Sequence, residues 1–363
     1  YKVFVITTSR RNDMSILNGV YVYYLNMGNL YWLPESKKHP KPIRVLWHVI
    51  DSYGLNKSND FEKLLRELNP DLAITNSIVQ FSCKIIDILR KCNIPVIHII
   101  RDHYLMNVST VMTNRQLFIK NLILGKFLSI RKKVLSNYPI GVIGISQYIL
   151  NTHLKNDYFS RATIKTVIPN AIEDTGDLTE FVKRKPVFGY VGALNSRKGV
   201  DLLIDAFSAN RIENELLLFG SGEDGFVNKL KGRIKSYPNI KLCGYQDAMS
   251  IYPSIDFLIV PSIINEAFGR VIIEAYSYGI PVIGSNRGGI PELIEHSKTG
   301  FLFEPEEKNS LVKVIVENKL NVSSIPTLRK NAFEKSKHYV VDNIIESYVQ
   351  VISSVMFSRE PIK

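Results

Sequence analysis

The chain has 363 residues, 45% of them hydrophobic and 22% charged, a balance that excludes a disordered chain and exceeds what one ordinary core accommodates, so two domains are expected. No segment offers eighteen consecutive apolar residues, which excludes a membrane span by that criterion, and no signal peptide is expected at the opening KVFVITT. The net charge of +12 is uneven: residues 1–185 hold 26 Lys and Arg against 14 Asp and Glu, and residues 186–363 hold 20 against 20, so the basic half is expected to face an acidic partner. Nucleic acid, an anionic membrane face and a phosphate-bearing substrate all satisfy that charge. Cys83, Cys92 and Cys243 show no C-x-x-C spacing and read as reduced thiols of a cytoplasmic protein, not as metal ligands.

In chain order, KVFVITT (2–8) predicts a first strand, followed by a polar loop to Gly19 and a helix over VYVYYLNMGNL (20–30). IRVLWHVI (43–50) predicts a strand between Pro- and Lys-rich loops. A helix from Phe61, an Asn69-Pro70 stop and a strand before Ser77 come next, then a helix over 80–92 and a strand over 95–100. This alternation predicts a doubly wound parallel sheet. Residues 115–138 predict a helix with Leu117, Phe118, Leu122, Ile123, Phe127, Ile130 and Val134 near helical spacing and Lys120, Lys126, Arg131, Lys132 and Lys133 around them. Such a helix either buries its apolar stripe in the core or lies on an anionic bilayer. IGVIGISQYILNTHL (140–154) reads as strand, N-capping Ser146 and helix.

Residues 171–186, acidic then basic and ending at Pro186, read as a linker. The expected domains are therefore 1–170 and 187–340. Beyond the linker, VFGYVG runs into a loop and a helix from about Gly199, where amides from Gly192 onward and the Lys198 amine can cradle a diphosphate. LLLFGSGEDG (216–225) and NIKLCGYQD (239–247) are strands ending in glycine turns, at Gly220 and Gly244. TGFLFEPEE is a strand and turn, and helices follow to about residue 357, with Ile344, Ile345, Tyr348, Val349, Ile352 and Val355 on the last.

The most informative stretch is 258–295. The apolar run Phe257–Val260 ends at Pro261 and reads as a buried parallel strand. A loop holding Asn265, Glu266 and Gly269 leads to a helix from Arg270 to Tyr278, stopped by Gly279 and Pro281. A second strand, Pro281 to Gly284, leads to a loop with Gly288, Gly289 and Pro291. Ligands of parallel sheets bind beyond the carboxyl ends of the strands, where both loops fall. Glu266 and Glu274 accept hydrogen bonds from hydroxyls, and a helix N-terminus favours an anion, so the combination suits a sugar and a ribose beside a phosphate. The plainer alternative is one acid that favours the helix dipole and one solvated loop acid.

Glu266-AFGRVII-Glu274, followed by EAYSYGIPVIGS and GGIPELI, resembles the donor-site signature of family-4 retaining GT-B glycosyltransferases, also called group 1 glycosyltransferases. The resemblance implies an α/β GT-B fold, two Rossmann-like domains facing across a cleft, with the last helix, about 340–363, packing back on the first domain. It implies a retaining, metal-independent transfer from a UDP- or GDP-linked sugar to a saccharide or lipid-linked saccharide acceptor, in the synthesis of a bacterial surface polysaccharide. By this resemblance Glu266 orients the sugar with the amides of Ala267, Phe268 and Gly269, Glu274 holds the ribose, and Arg270 reaches the phosphates or pairs with an acid. Lys198 and Arg197 take the departing diphosphate. Gly19, Gly192, Gly220, Gly244 and Tyr245 stand in the loops that approach donor phosphates, nucleoside and base.

Three positions depart from the family pattern. Gly19 stands where two glycines are usual, Ala193 where an Arg is usual, and Arg101 where a His precedes Asp102, as in a branch with an R-D-Y motif. Arg101 stays protonated, so it clamps a phosphate or acidic acceptor, or pairs with Asp102 to fix the loop. No D-x-D is present, so no divalent metal and no other cofactor is expected. Lipid-linked acceptors would bring the basic half to an anionic membrane surface as a peripheral protein. The departures also motivate an alternative, a catalytically silent GT-B scaffold that partners another transferase. A nucleic-acid binder lacks any recognisable module, and no nucleic acid is expected as partner.

Overall fold

A computed structural model describes residues 1–106, 115–174, 178, 185–210, 212–316 and 324–357; for 115–124 only the backbone is described. Most of the expected linker therefore lies outside the described residues. The chain divides into two compact units: Tyr1–Gly144 with Ile149–Val167 and the chain from Val351 on, and Ile145–Tyr148 with Ile168–Gln350.

The first unit opens with β1 (Phe4–Thr8), β2 (Asp13–Leu17) and β3 (Val20–Leu25) in the order β1-β3-β2. The helix expected over 20–30 is therefore a strand, and the loop before it is half strand. The physical cause is local: Val20 to Tyr24 is β-branched and aromatic throughout, and Asn18-Gly19, with φ of 49° and 79°, forms the two-residue turn that an antiparallel hairpin requires. Gly19 is thus an exposed hairpin glycine and not part of a loop after the first strand.

The strand expected over 43–50 is also overturned, by helix α1 (Lys41–Tyr53). Pro42 at its first turn and left-handed Gly54 at its end are helix punctuation. Its inward positions, Arg44, Trp47, His48 and Asp51, recur at helical spacing, and three of them are polar, which hid the period. Helix α2 (Asn59–Leu68) stops at left-handed Asn69 before Pro70. Then β4 (Ala73–Asn76), α3 (Lys84–Lys91), β5 (Val96–Ile100), α4 (Arg115–Leu135), β6 (Gly141–Gly144), α5 (Gln147–Leu154) and β7 (Ile164–Val167) alternate as expected. The strands run parallel in the order β4-β5-β6-β7, separate from the first sheet. Val96, Ile97, Val142 and Ile143 are wholly buried on them.

The second unit runs through β8 (Phe188–Val191), α6 (Val200–Ala209), β9 (Leu216–Phe219), α7 (Asp224–Ile234), β10 (Ile240–Gly244), α8 (Ala248–Ile251) and β11 (Phe257–Val260). It continues through α9 (Arg270–Ser277), β12 (Val282–Ser285), α10 (Ile290–Leu293), β13 (Gly300–Phe303), α11 (Ser310–Val316), α12 (Ile325–Ser336) and the part of α13 (Val341–Phe357) up to Gln350. All its strands are parallel, in the order β10-β9-β8-β11-β12-β13. The strands are short and apolar because helices cover both faces, and at the centre Phe188 stacks on Phe257 and meets Phe207 edge-on. The chain winds outward from β8 to β10 on one side and from β11 to β13 on the other. The strand order reverses between β8 and β11, and ligands of such sheets bind beyond the carboxyl ends of the strands at that point. On α13, Ile344 and Val355 are buried but Ile345 and Val349 are exposed, so the expected apolar stripe is narrower than its composition.

Candidate functional site

Lys198 and Glu266 are 68 positions apart, and the switch point brings them together. The loop after β8 makes a 3-10 turn, Ser196–Lys198, capped by the Asn195 side chain, which accepts from the Lys198 amide at 3.1 Å. Gly199 follows at φ 77°, and a Cβ there would lie 1.7 Å from the Pro261 carbonyl oxygen, so this loop lies directly on the end of β11. Ile263 N–H donates to the Arg197 carbonyl and locks the two loops in register.

The Lys198 amine then meets Glu266 Oε1 at 2.6 Å. The Ser262 hydroxyl donates to the same oxygen, also at 2.6 Å. Oε2 of Glu266 has no hydrogen-bond partner among the described residues. From behind, the loop after β12 closes on the Glu266 backbone: Gly289 N–H donates to its carbonyl at 2.8 Å, and a Cβ at Gly288 would strike that carbonyl. The Tyr190 hydroxyl donates to the Ala193 carbonyl, and burial with the nearby Glu266 charge pushes its pKa up.

The other acid sits eight residues on, in α9. Glu274 pairs with Arg270 Nε at 2.8 Å and accepts from the Tyr252 hydroxyl at 3.3 Å. Tyr252 is wholly buried, and burial followed by the Glu274 charge raises its pKa, so the phenol stays a donor. Gly269, at φ 110°, opens α9. Phe268 is buried with its ring against Tyr339, so only its main chain is left for a ligand, and Ala267 already accepts from the Ser146 hydroxyl. Ser146 thus bonds to the 267 carbonyl, while Glu292 supplies the acceptor for the Gln147 and Tyr148 amides at the start of α5.

Gly192 and Gly220 meet back to back: a Cβ on Gly220 would lie 1.8 Å from the Gly192 carbonyl. Gly244 has φ 72°, and Tyr245 beside it is 81% exposed. Arg197 points its side chain into an exposed position, one residue from Lys198.

Arg101 and Asp102 belong to the first unit, on a pocket at the end of β5 that Ser77, His98 and Tyr104 also line. Asp102 accepts from the Tyr104 amide at 2.8 Å, and burial raises its pKa. Beneath it lies a cluster that sequence reading missed. The Tyr104 hydroxyl donates to Asp51, whose other oxygen accepts from the Gln80 amide at 3.1 Å. The Lys132 amine sits 3.6 Å over the Tyr104 ring and donates to its carbonyl at 3.0 Å. Burial pushes Asp51 up to about 6 and Lys132 down to about 8. Lys132 is thus a core residue, whereas Phe127, Ile130 and Val134 of the expected stripe are exposed. Ser262 also escaped notice; its only signal is its position after Pro261 and four before Glu266.

Among the described residues no helix is long and apolar enough to cross a membrane. A family model described as glycosyl transferases group 1 matches residues 185–318. The chain is similar to an uncharacterised 42.6 kDa protein in a cps region of Klebsiella pneumoniae, 26% identical over 356 residues, covering 97% of this chain and 90% of that protein. Sucrose-phosphate synthase from Thermosynechococcus elongatus aligns with a TM-score of 0.76 at 20% identity, over 98% of this chain and 90% of that one. HepE of Anabaena, solved in complex with UDP, aligns with a TM-score of 0.68 at 20% identity, over 92% and 86%. With Lys198 and Glu266 joined at the switch point of a parallel sheet, residues 185–318 match the model of glycosyl transferases group 1, in a chain of GT-B fold.

Proposed function

We propose that the chain is a family-4 retaining glycosyltransferase that moves a sugar from a UDP- or GDP-linked donor to a saccharide or lipid-linked saccharide acceptor. The observation that carries this reading is the convergence of Lys198 and Glu266 beyond β8 and β11, a cation for the diphosphate beside an acid for the sugar. In the proposed step the bond from the sugar C1 to the diphosphate oxygen breaks. The acceptor hydroxyl oxygen bonds to C1 on the same face, and its proton passes to the departing diphosphate. Lys198, with Arg197 alongside, stabilises the charge that builds there. Glu266 takes sugar hydroxyls, Glu274 the ribose, and Arg101 and Asp102 serve the acceptor. The backbones of Gly192, Gly220, Gly244 and Gly269 line the donor, and Tyr245 offers its ring to the base.

The transfer is proposed to need no divalent metal; turnover is expected to survive EDTA unchanged. Retention is checked by reading the anomeric configuration of the product by NMR. The UDP bound to HepE and the cps-region relative support a nucleotide donor and a polysaccharide product. We also propose a cytoplasmic protein that associates peripherally with anionic membrane through the first unit, a reading supported by exposed Phe127, Ile130 and Val134 beside Lys126, Arg131 and Lys133. Thermal shift with UDP-, GDP- and ADP-sugars tests the central claim. At least one UDP- or GDP-sugar is expected to raise the melting temperature; no shift with any of them overturns it.

A further inference from the structure

We propose that Ser262 is a positioning residue of the donor site, holding the Glu266 carboxylate when Lys198 leaves it for the donor. The inference rests on the function proposed above. The two groups assigned to opposite ends of the donor are bonded to each other: Lys198 Nζ lies 2.6 Å from Glu266 Oε1. A diphosphate draws the ammonium away, because phosphate oxygens offer it more charge than one carboxylate oxygen. Among the described residues the Glu266 carboxylate then keeps one donor, the Ser262 hydroxyl at 2.6 Å on the same oxygen. Oε2 stays open to a sugar hydroxyl.

Ser262 is built for this task. It is 1% exposed, so its hydroxyl does not exchange partners with solvent. Its carbonyl accepts from the Ser285 hydroxyl at 2.7 Å, and Ser285 is wholly buried at the end of β12. A strand end therefore fixes the Ser262 backbone, the Ser262 hydroxyl fixes the carboxylate oxygen, and the carboxylate is aimed without help from Lys198. Gly289 N–H holds the Glu266 main chain from the other side. A carboxylate tied at one oxygen by a neutral donor keeps its charge and its second oxygen, which a lone ion pair with a mobile lysine does not ensure.

The reading predicts a split between sugar-dependent and diphosphate-dependent behaviour. The experiment measures kcat and KM for donor hydrolysis with UDP-glucose and GDP-mannose, and Kd for free UDP and GDP. It compares wild type with Ser262→Ala, Ser262→Thr and Ser285→Ala, each checked for an intact thermal transition. Loss of a hydrogen bond to a charged group is expected to lower kcat/KM of Ser262→Ala by about ten- to a hundredfold, with Kd for the free diphosphate within about twofold of wild type. Ser262→Thr keeps the hydroxyl and is expected to recover most of the loss, and Ser285→Ala to show a smaller loss of the same kind. Unchanged kinetics in Ser262→Ala, or an equal loss for nucleotide sugar and free diphosphate, overturns the proposal. A wild-type chain that binds neither diphosphate and hydrolyses neither sugar overturns the function itself, a result visible before any variant is made.

Discussion

Lys198 carries the positive charge closest to Glu266, on a loop held by Asn195, Gly199 and the Pro261 carbonyl. Lys198→Ala is expected to weaken nucleoside diphosphate binding by about tenfold or more, read by calorimetry, since a charge-assisted contact is lost. Glu274→Ala is expected to weaken nucleoside diphosphate binding by a comparable factor through the ribose. Unchanged affinity in both removes the assigned site. Gly199→Ala belongs to the same scale. Its φ of 77° and the 1.7 Å approach to a carbonyl oxygen leave no room for a methyl group. The loop must shift, with an expected loss of about 1–3 kcal/mol in urea unfolding. What the sequence displays here is residue type within a punctuated loop. What it missed, at Ser262, is a small hydroxyl whose role depends on a partner four residues away and a strand 23 residues away. Serine at a strand end carries no distinguishing pattern.

At the scale of elements, the cluster under the Arg101–Asp102 loop ties α1, α4 and the end of β5 together through Asp51, Lys132 and Tyr104. Lys132→Ala is expected to cost about 3–5 kcal/mol, because the buried Asp51 loses its compensating charge. The double variant Lys132→Met with Asp51→Asn is expected to recover a large part of that, and urea midpoints for the single and double variants decide it. Equal stability of Lys132→Ala and wild type sinks the account. The same cluster explains why the first unit was harder to read than the second. In the second unit β8, β9 and β11 are uninterrupted apolar runs closed by Gly192, Gly220 and Pro261, so burial on both faces is written in composition. In α1 the inward face carries Arg44, His48 and Asp51 among Ile43, Val45, Leu46 and Val49, so a polar interior and a β-branched exterior inverted the usual signal. The β2–β3 hairpin was legible in Asn18-Gly19, whose turn chemistry outweighs a helical reading of residues 20–30.

Across the whole chain, burial depresses the pKa values of four histidines, all in the first unit: His98 to about 3, and His48, His103 and His153 to about 4. Their folded values lie below the unfolded 6.5, so the stability they contribute is present above pH 6.5 and is lost as pH falls toward 4. Each adds a slope of up to about 1.4 kcal/mol per pH unit in that window. Asp51, raised to about 6, works in the opposite sense between pH 6 and its unfolded value, but it is one group against four. In the second unit Glu295, held at about 2 by Lys298 and Lys335, loses its contribution only below its unfolded value of 4.5. Hydrogen exchange at about pH 7 and about pH 5 is expected to show protection falling first in peptides from β5 and α5, with the second-unit strands unchanged. Earlier loss in β8 or β11 contradicts the assignment.

The 2.6 Å contact between Lys198 and Glu266 has a kinetic side. Two opposite charges that satisfy each other have little pull on background inorganic anions. On the function proposed above, a spent nucleotide would have no sugar to offer Glu266, and the carboxylate would compete for the ammonium. Reunion of the pair would then expel the leaving group, so the two side chains assigned to the donor would also reset the site for its next cycle.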